Sequence, residues 1–416
     1  MDAVGNISWG ITATALVLLM TPGVAFFYGG LVKAKSVVSM MMMSFGAIGL
    51  IAVLWLLYGY SMSSVSSSWQ FAGDPFADFG LASAASSEGS NVALLSVAYG
   101  ATFAIITVAL ISGAIADRAR FGPWLIYVGI FGTLGYFPIA AWVWGGGWIT
   151  NLGEMLFGAD SGIAVIDYAG GTAVHINAGA AALALALVLG KRIGFQKGIQ
   201  KPHNVPLTLL GAALLWFGWF GFNAGAEWAS EDMGNVGLIA INTLGAAAAG
   251  ILGWILIEKI RDGKPTSVGA VSGLVAGLVA ITPACANLTP GWALLLGLVS
   301  GVVCALAIEL KYRLGFDDSL DVVGLHLVGG LIGTVYLGFF AIDQGLFTGG
   351  DWRLLVVQLL ASGGVLVYAF LVSLAIGFLI EKTIGFRVTS EEEIAGVDQA
   401  VHGEEGYALP ASELVH

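Results

Sequence analysis

Two histidines stand out in this sequence because each lies inside an apolar stretch and follows an aspartate. His175 comes eight residues after Asp167 in DYAGGTAVHINAG, and His326 comes five residues after Asp321 in SLDVVGLHLVGG. A neutral imidazole offers one N–H donor and one acceptor nitrogen, and its reference pKa of about 6.5 lets it exchange protons near neutral pH. Two such rings in an apolar environment could pass a proton or a small hydrogen-bonding solute.

A structural role is the alternative for each histidine, since a buried neutral imidazole can donate one hydrogen bond to a backbone carbonyl. Other chemistry is not indicated by the sequence. It contains no Walker or other nucleotide motif, no ring of oxygen ligands suited to a dehydrated metal ion and no basic cluster for nucleic acid. We therefore expect neither an enzyme nor an ATP-driven pump, and no cofactor or metal. Cys285 and Cys304 are expected to be small packing residues.

The elements that must position these histidines are membrane-spanning helices. Of the 416 residues, 57% are hydrophobic and 10% are charged, against about 25% charged in a soluble domain. A spanning helix needs roughly 20 apolar residues. Runs of this kind predict eleven spans, at about 9–32, 37–60, 92–116, 122–144, 168–189, 205–224, 235–258, 267–285, 292–312, 321–341 and 353–381.

This pattern predicts an all-α polytopic membrane protein, with a transmembrane domain over residues 1–387 and a cytoplasmic tail over 388–416. The first apolar run is too long for the core of a signal peptide, so we expect it to be a true span and not a cleaved leader. Long runs without alternation favour helices over a barrel.

The basic residues predict the orientation. Fifteen of the sixteen Lys and Arg residues follow an odd-numbered span, and Arg353 alone falls on the other side. Basic loops face the cytoplasm. The fifteen are Lys33, Lys35, Arg118, Arg120, Lys191, Arg192, Lys197, Lys201, Lys259, Arg261, Lys264, Lys311, Arg313, Lys382 and Arg387. The N-terminus is therefore expected outside and the C-terminus inside, in the cell (inner or plasma) membrane.

The positions of the two histidines suggest an inverted repeat. They lie in predicted spans five and ten, which run in opposite directions, so two halves of five spans must have opposite orientations. In such repeats the functional site lies near the bilayer midplane, between the halves. We expect halves at about 7–190 and 205–341 and a long final helix at about 353–381.

Aromatic residues collect near the predicted outer ends of several spans, as in WVWGGGW and WFGWFGFNAG. They form either an interfacial aromatic belt or a cation–π vestibule over a pore mouth. The predicted outer loops also carry carboxylates, among them Glu154, Asp160 and Glu227. These either raise the local concentration of cations or simply keep the loops soluble.

Five motifs together resemble the ammonium transporter family, which is related to the Rhesus proteins. They are DYAGGTAVHINAG, WFGWFGFNAG, VWGGGW, TPGVAFFYGGLVKAKS and DDSLDVVGLHLVGGLIGT, and the tail GFRVTSEEEIAGVDQAVHGEEGYAL is similar as well. The resemblance runs from about residue 7 to 409. It implies eleven spans, a homotrimer with one pore per subunit, and NH4+ or ammonia as substrate, with methylammonium as an analogue. It also implies a cytoplasmic face that can bind a trimeric PII signal protein.

The resemblance implies roles at the outer mouth. Trp144 and Phe103 would recruit NH4+, and Asp167 would be the buried carboxylate beneath that site, acting electrostatically and structurally. Phe103 stacked near Phe222 would form a phenylalanine gate. The family often has Ser at the position of Ala226, so a hydroxyl is lost here, and the neighbouring Glu227 is proposed to contribute charge.

The resemblance also implies the residues of the pore. His175 and His326 would face each other as a twin-histidine pair, and Trp219 and Tyr28 would line or flank the pore. We expect an ammonium transporter that deprotonates NH4+ and conducts ammonia, with net charge movement. The alternatives are an ammonium sensor that signals to cytoplasmic partners and a neutral gas channel of the Rhesus type.

Overall fold

The computed structural model describes residues 3–65, 71–86, 90–196, 201–229 and 233–407. Two features used above fall partly elsewhere: Lys197 and residues 408–416 of the predicted tail lie outside the described residues. The described part of the chain is helical and contains no β-strand, only an isolated bridge between Ala119 and Arg387. The all-α prediction is confirmed.

Ten helices in the described residues are long and apolar enough to cross a membrane, and an eleventh apolar helix is shorter. In chain order they are α1 (Val4–Leu31), α2 (Ala34–Met62), α3 (Val92–Ile115), α4 (Phe121–Val143), α5 (Gly171–Leu189), α6 (Val205–Trp228), α7 (Val236–Arg261), the shorter α8 (Ser267–Ile281), α9 (Pro290–Leu314), α10 (Val323–Phe340) and α11 (Trp352–Thr383).

Helix α8 differs from its predicted span of 267–285. Its 15 residues reach about 22 Å at 1.5 Å per residue, against about 30 Å of bilayer core. Thr282 still has α-helical dihedrals, with φ −51° and ψ −50°, but Pro283 after it has no N–H to donate to the carbonyl four residues earlier, so the helix is not continued beyond this point. The count of eleven complete spans therefore stays a prediction.

The packing contacts among the first helices recur among the helices that come five positions later in the chain. Helix α1 packs on α2 and α3 just as α6 packs on α7 and α8, and the contacts of α2 with α3 and α4 recur between α7 and the pair α8 and α9. Helices α5 and α10 contact each other between these groups. The pattern is the one expected of two related halves, although their boundaries remain predictions.

Small residues allow the helices to approach closely, since lipid supplies little hydrophobic drive between them. Gly250 in α7 illustrates this, because it lies against the backbones of Gly273 in α8 and Gly301 in α9. A side chain at any of these three positions would collide with backbone, which a rotamer change cannot relieve.

The two ends of the helix bundle differ, and we name them by their residues. The aromatic end carries Trp144, Phe103 and Ala226. The basic end carries the loops with most of the Lys and Arg residues, together with the tail. There the tail is held by hydrogen bonds from Val38 N and Ser39 N to the Asp398 carboxylate, at 3.0 and 2.7 Å. Both N–H groups lie at the start of the α-helical part of α2, which begins at Val37, and the first N–H groups of a helix have no intrahelical partner.

Candidate functional site

The two histidines meet inside the bundle. Their Nδ1 atoms are 3.2 Å apart, their ring centroids are 5.2 Å apart, and the rings are inclined by 23°. His175 is 1% exposed and His326 is 4% exposed. The structure therefore brings together the pair that the sequence placed in two different halves.

Each histidine lies in the first turn of its helix, and both turns are π-helical, over Gly171–Ile176 and Val323–Leu327. Such turns interrupt the regular ladder and occur often at functional sites. Because the two helices begin inside the bundle and run in opposite directions, their first turns lie side by side.

Asp167 caps the start of α5. Its carboxylate accepts hydrogen bonds from Gly170 N at 3.0 Å, Gly171 N at 2.5 Å, Thr172 N at 2.9 Å and Ala173 N at 3.1 Å, and from the Thr172 hydroxyl. The first N–H groups of a helix have no intrahelical partners, and a carboxylate there also meets the positive end of the helix dipole. Asp167 thus fixes the turn that carries His175.

The equivalent aspartate in the second half is Asp318, not Asp321. Asp318 accepts from Val322 N at 3.1 Å and Val323 N at 2.7 Å, and it precedes His326 by eight residues, the same spacing as between Asp167 and His175. Asp321 has a positive φ of 63° and pairs with Lys311 at 2.6 Å. Comparing the Asp-to-His spacings in the two motifs would have identified Asp318 from sequence.

A narrow lumen runs past the histidines. This histidine lumen is lined by Met20, Val24, Phe27, Tyr28, Ile106, Leu110, His175, Leu215, Trp219, Phe222, Val275 and His326. Its volume of about 10 Å³ is roughly the space that one water-sized molecule needs. Almost all of the lining is hydrocarbon or aromatic, so the two imidazoles are its main polar groups.

The imidazoles carry a definite hydrogen-bonding pattern. Since their Nδ1 atoms bond each other, one ring donates and the other accepts, which leaves one Nε2 as acceptor and the other as N–H donor. Nε2 of His175 is buried and has no hydrogen-bond partner among the described residues. The lumen thus offers a small polar molecule one donor and one acceptor.

Trp219 and Tyr28 lie in the lining beside the two histidines. The ring of Trp219 stacks on His175 with centroids 5.6 Å apart and planes inclined by 20°, and its indole N–H donates to Thr282 Oγ1 at 2.9 Å. Tyr28 donates to the Leu110 carbonyl at 3.2 Å. Thr282, which the sequence reading did not identify, fixes the rotamer of Trp219.

Two phenylalanines separate the histidine lumen from the aromatic end. Phe103 and Phe222 stack with ring centroids 4.3 Å apart and an interplanar angle of 28°, and Phe222 is 6.1 Å from the ring of His175. On the other side, Phe103 meets Trp144 edge to face at 6.1 Å. The rings form a continuous series from Trp144 to the histidines, with the phenylalanine pair closed across it.

A cavity of about 340 Å³ opens above the phenylalanines at the aromatic end. This aromatic cavity is lined by Trp55, Tyr60, Ser63, Ser64, Tyr99, Gly100, Phe103, Tyr136, Ala140, Trp144, Gly145, Tyr168, Ala169, Phe222 and Ala226. Trp144 donates its indole N–H to the Asp167 carbonyl at 2.8 Å, which ties the cavity wall to the cap of α5. The hydroxyl-bearing residues Tyr60, Ser63 and Tyr168 were missed at the sequence level, because Tyr and Ser at the end of a span or in the adjoining loop carry no distinguishing pattern.

Glu227, which the sequence placed in an outer loop, is buried at the end of α6 with 5% of its surface exposed. No cluster of His, Cys, Asp and Glu side chains in the described part of the chain could hold a metal ion. What the site offers is an aromatic cavity, a closed pair of phenylalanine rings and a lumen with two imidazoles, in that order.

Comparisons with known proteins identify a family for nearly the whole chain. The family model described as Ammonium Transporter Family matches residues 8–407. An ammonium transporter of Mycobacterium bovis is 48% identical over an alignment of 441 positions, which covers 97% of this chain and 90% of that protein.

Two solved structures are similar as well. Candida albicans Mep2 has a TM-score of 0.84 and 32% identity, covering 98% of this chain and 95% of that one. A structure titled Sensor Amt Protein has a TM-score of 0.86 and 27% identity, covering 95% and 98%.

Proposed function

Because this chain belongs to the ammonium transporter family, we propose that it binds NH4+ in the aromatic cavity, removes a proton and conducts ammonia through the histidine lumen. The observation that carries this proposal is the series of aromatic rings that leads from an open cavity to two imidazoles in contact. The aromatic end would face the outside and the basic end the cytoplasm of a plasma membrane.

Recruitment would occur at Trp144 and Phe103. A cation over an aromatic face is attracted by the ring quadrupole, most strongly by Trp, with about 0.5–2 kcal/mol per contact. Ala226 lies in the wall of the same cavity. Asp167 would add negative charge from below the site, while its main structural work is the cap of α5.

Deprotonation would follow because the next segment is narrow and apolar. An ammonium ion stripped of water in such a lining has a high free energy, whereas neutral ammonia has a small desolvation cost. The phenylalanine pair, Phe103 and Phe222, would have to part for each passage.

The histidine pair would then receive ammonia. The acceptor Nε2 would accept a hydrogen bond from an N–H of ammonia, and the donor Nε2–H would donate one to the nitrogen lone pair of ammonia. Both imidazole groups would then be hydrogen-bonded while the molecule passes. We propose that the released proton also crosses by way of these nitrogens, which gives net charge movement. K+ has no N–H, and the described residues of the lining form no ring of oxygen ligands to replace its hydration shell.

Recording of currents on solid-supported membranes tests the proposal, with reconstituted protein and NH4+, methylammonium and K+ as substrates. Wild type is expected to give current with NH4+ and methylammonium and none with K+. His175→Ala and His326→Ala are each expected to abolish ammonium current or its selectivity over K+. Unaltered current and selectivity in both variants would contradict the assigned role of the pair.

A sensor function is the second candidate, favoured by the similarity to the structure titled Sensor Amt Protein. In the tail, the described residues beyond Arg387 form two short helices, Ser390–Ala395 and Val397–His402. A sensor would bind ammonium without appreciable flux, so a current or an internal pH change in liposomes decides for transport. A neutral gas channel would change internal pH without current.

The remaining elements of the proposal concern assembly. By its family, the chain would form a homotrimer with one pore per subunit, and its basic end would bind a cytoplasmic PII signal protein. Mass measurement of the protein in native-like detergent tests the first. Co-purification with a PII protein, with and without the residues after Arg387, tests the second.

A further inference from the structure

We propose that Glu227, held behind the aromatic cavity by the Tyr168 hydroxyl, sets the affinity of that cavity for a cationic substrate. The inference deepens the proposed function and rests on it, because it assumes that the cavity binds NH4+. It concerns a residue outside the cavity wall, which acts by charge and through its neighbours.

Two of the groups around Glu227 donate hydrogen bonds to its carboxylate. The Tyr168 hydroxyl donates to Oε1, and Asn235 N donates to Oε2 at 3.2 Å. An ionised carboxylate can only accept hydrogen bonds, and both of these partners are donors. Such bonds to a charged acceptor are stronger than neutral ones, so they hold the side chain in one place.

Glu227 lies one layer behind the cavity wall. Its chain neighbour Ala226 and its partner Tyr168 both line the aromatic cavity. None of the described residues that line this cavity carries a charge. A cation in the cavity would contact aromatic rings, hydroxyls and a methyl group directly. Negative charges behind the wall would attract it across these groups.

Among the described residues, the carboxylates of Asp167 and Glu227 lie close behind the wall, and they differ in how far their charge is offset. Asp167 sits at the start of α5, where four backbone N–H groups and the positive helix end oppose its charge. Glu227 sits at the opposite kind of helix end.

The α-helical part of α6 ends at Ala224 near the cavity, so its last carbonyls carry partial negative charge. Tyr99, which lines the cavity, donates to two of them, those of Gly221 and Phe222, both at 3.0 Å. The field of Glu227 therefore adds to that of the α6 terminus. Burial also protects it from ionic screening, unlike the exposed acids of the loops.

The expected effect follows from Coulomb's law. A unit charge acting over about 10–20 Å at an effective dielectric constant near 20 changes the affinity for a monovalent cation by about four- to sixteenfold. Since the charge acts on the bound cation and not on neutral ammonia in the lumen, it changes half-saturation and leaves the maximal rate alone.

Glu227→Gln tests this, because it keeps the size of the side chain and an acceptor for Tyr168 while it removes the charge. Half-saturation and maximal current for NH4+ are measured on reconstituted protein at low and high ionic strength. We expect half-saturation to rise about four- to sixteenfold at both ionic strengths, with an unchanged maximal current. The matched control is Glu154→Gln, an exposed acid in the loop before α5, which should change half-saturation less than about twofold and only at low ionic strength.

Two further variants separate charge from structure. Adding Ala226→Ser to Glu227→Gln places a hydroxyl acceptor in the cavity wall and should restore part of the affinity, which a purely structural role would not predict. Tyr168→Phe leaves the charge and removes the bond that orients it, so a smaller rise in half-saturation is expected. If Glu227→Gln does not fold, the half-saturation of Tyr168→Phe is the measurement that tests the inference.

The inference fails if half-saturation is unchanged in Glu227→Gln, or if only the maximal current falls. It also fails if Ala226→Ser restores nothing. Absence of ammonium current in wild type would instead overturn the proposed function itself, so the two failures are distinguishable.

Discussion

The two ends of the molecule treat buried charge differently. At the aromatic end, Asp167 and Glu227 take hydrogen bonds from backbone N–H groups and hydroxyls, and the cavity wall itself is uncharged. At the basic end, Arg192 lies between two carboxylates, with 3.0 Å to Asp117 and 2.9 Å to Asp317. Lys311 there pairs with Asp321.

The difference concerns what each end can attract. Carboxylates bonded by neutral donors keep their net negative charge, which favours a cation in the cavity above them. Carboxylates paired with Arg or Lys are neutralised locally, so Arg192 and Lys311 weaken this attraction at the basic end, where Asp318 is the carboxylate bonded by backbone N–H groups as Asp167 is. The path is therefore polarised from one end to the other, although the two halves of the fold are built alike.

The largest expected effect comes from the two helix caps. Asp167→Ala leaves four N–H groups and a hydroxyl without their acceptor, while Asp318→Ala strands two N–H groups. At about 1–3 kcal/mol per stranded buried donor, we expect the free energy of unfolding to fall by about 5 kcal/mol or more for the first and by about 2–6 kcal/mol for the second. Thermal unfolding of each variant in detergent, followed by size-exclusion chromatography, measures this order. Equal losses would remove the asymmetry between the halves.

Arg192→Gln should act on the basic end alone. It leaves two buried carboxylates without their cation, and breaking a buried pair in this way costs about 3–5 kcal/mol. The half-saturation for NH4+ should stay at its wild-type value in protein that still folds, because the aromatic cavity is unchanged. A shifted half-saturation would show that the two ends are coupled.

The same cluster gives a pH dependence. Burial alone would raise the pKa of Asp317, but the hydrogen bonds and charge of Arg192 outweigh it and hold that pKa below its ordinary value. A carboxyl with a depressed folded-state pKa stabilises the fold above its unfolded pKa, near 4, and this stabilisation is lost as the pH falls further. We expect the unfolding temperature of wild type to decrease when the pH is lowered below about 4. Arg192→Gln should lack that part of the decrease at low pH. If Asp317 were not involved, the plots of unfolding temperature against pH for wild type and Arg192→Gln would run parallel.

Trp144→Leu probes the aromatic end with a smaller effect. Loss of one cation–π contact of about 0.5–2 kcal/mol should raise half-saturation for NH4+ by about two- to thirtyfold, with the maximal rate kept. Trp352→Leu, an exposed tryptophan at the start of α11, is the matched control and should leave half-saturation unchanged. Equal effects of the two substitutions would argue for an interfacial belt and against a binding site.

The smallest effect is expected at the tail. Asp398→Asn weakens the bonds to Val38 N and Ser39 N and should cost about 0.5–2 kcal/mol, as the loss of a helix cap does. Faster hydrogen exchange of the amides at 38 and 39 would report it, with transport at the aromatic end unaffected. Unchanged exchange at both amides would show that the carboxylate does not hold the tail.

Much of this protein follows from the sequence by itself. The apolar runs require helices, since a backbone in lipid must satisfy its own hydrogen bonds, and the placement of His175 and His326 in oppositely directed spans already predicts a pair. The motifs around Trp144 and Asp167 were sufficient for the family. These features depend on composition, period and spacing, which the sequence displays directly.

The tertiary structure decided what depends on distance across the bundle. It placed Arg192 between Asp117 and Asp317, which lie 75 and 125 residues away in the chain. It also placed Glu227 behind the cavity and Thr282 against Trp219. Such contacts join residues far apart in the chain, so no local pattern specifies them, and they form only once helices pack at distances fixed by their small side chains.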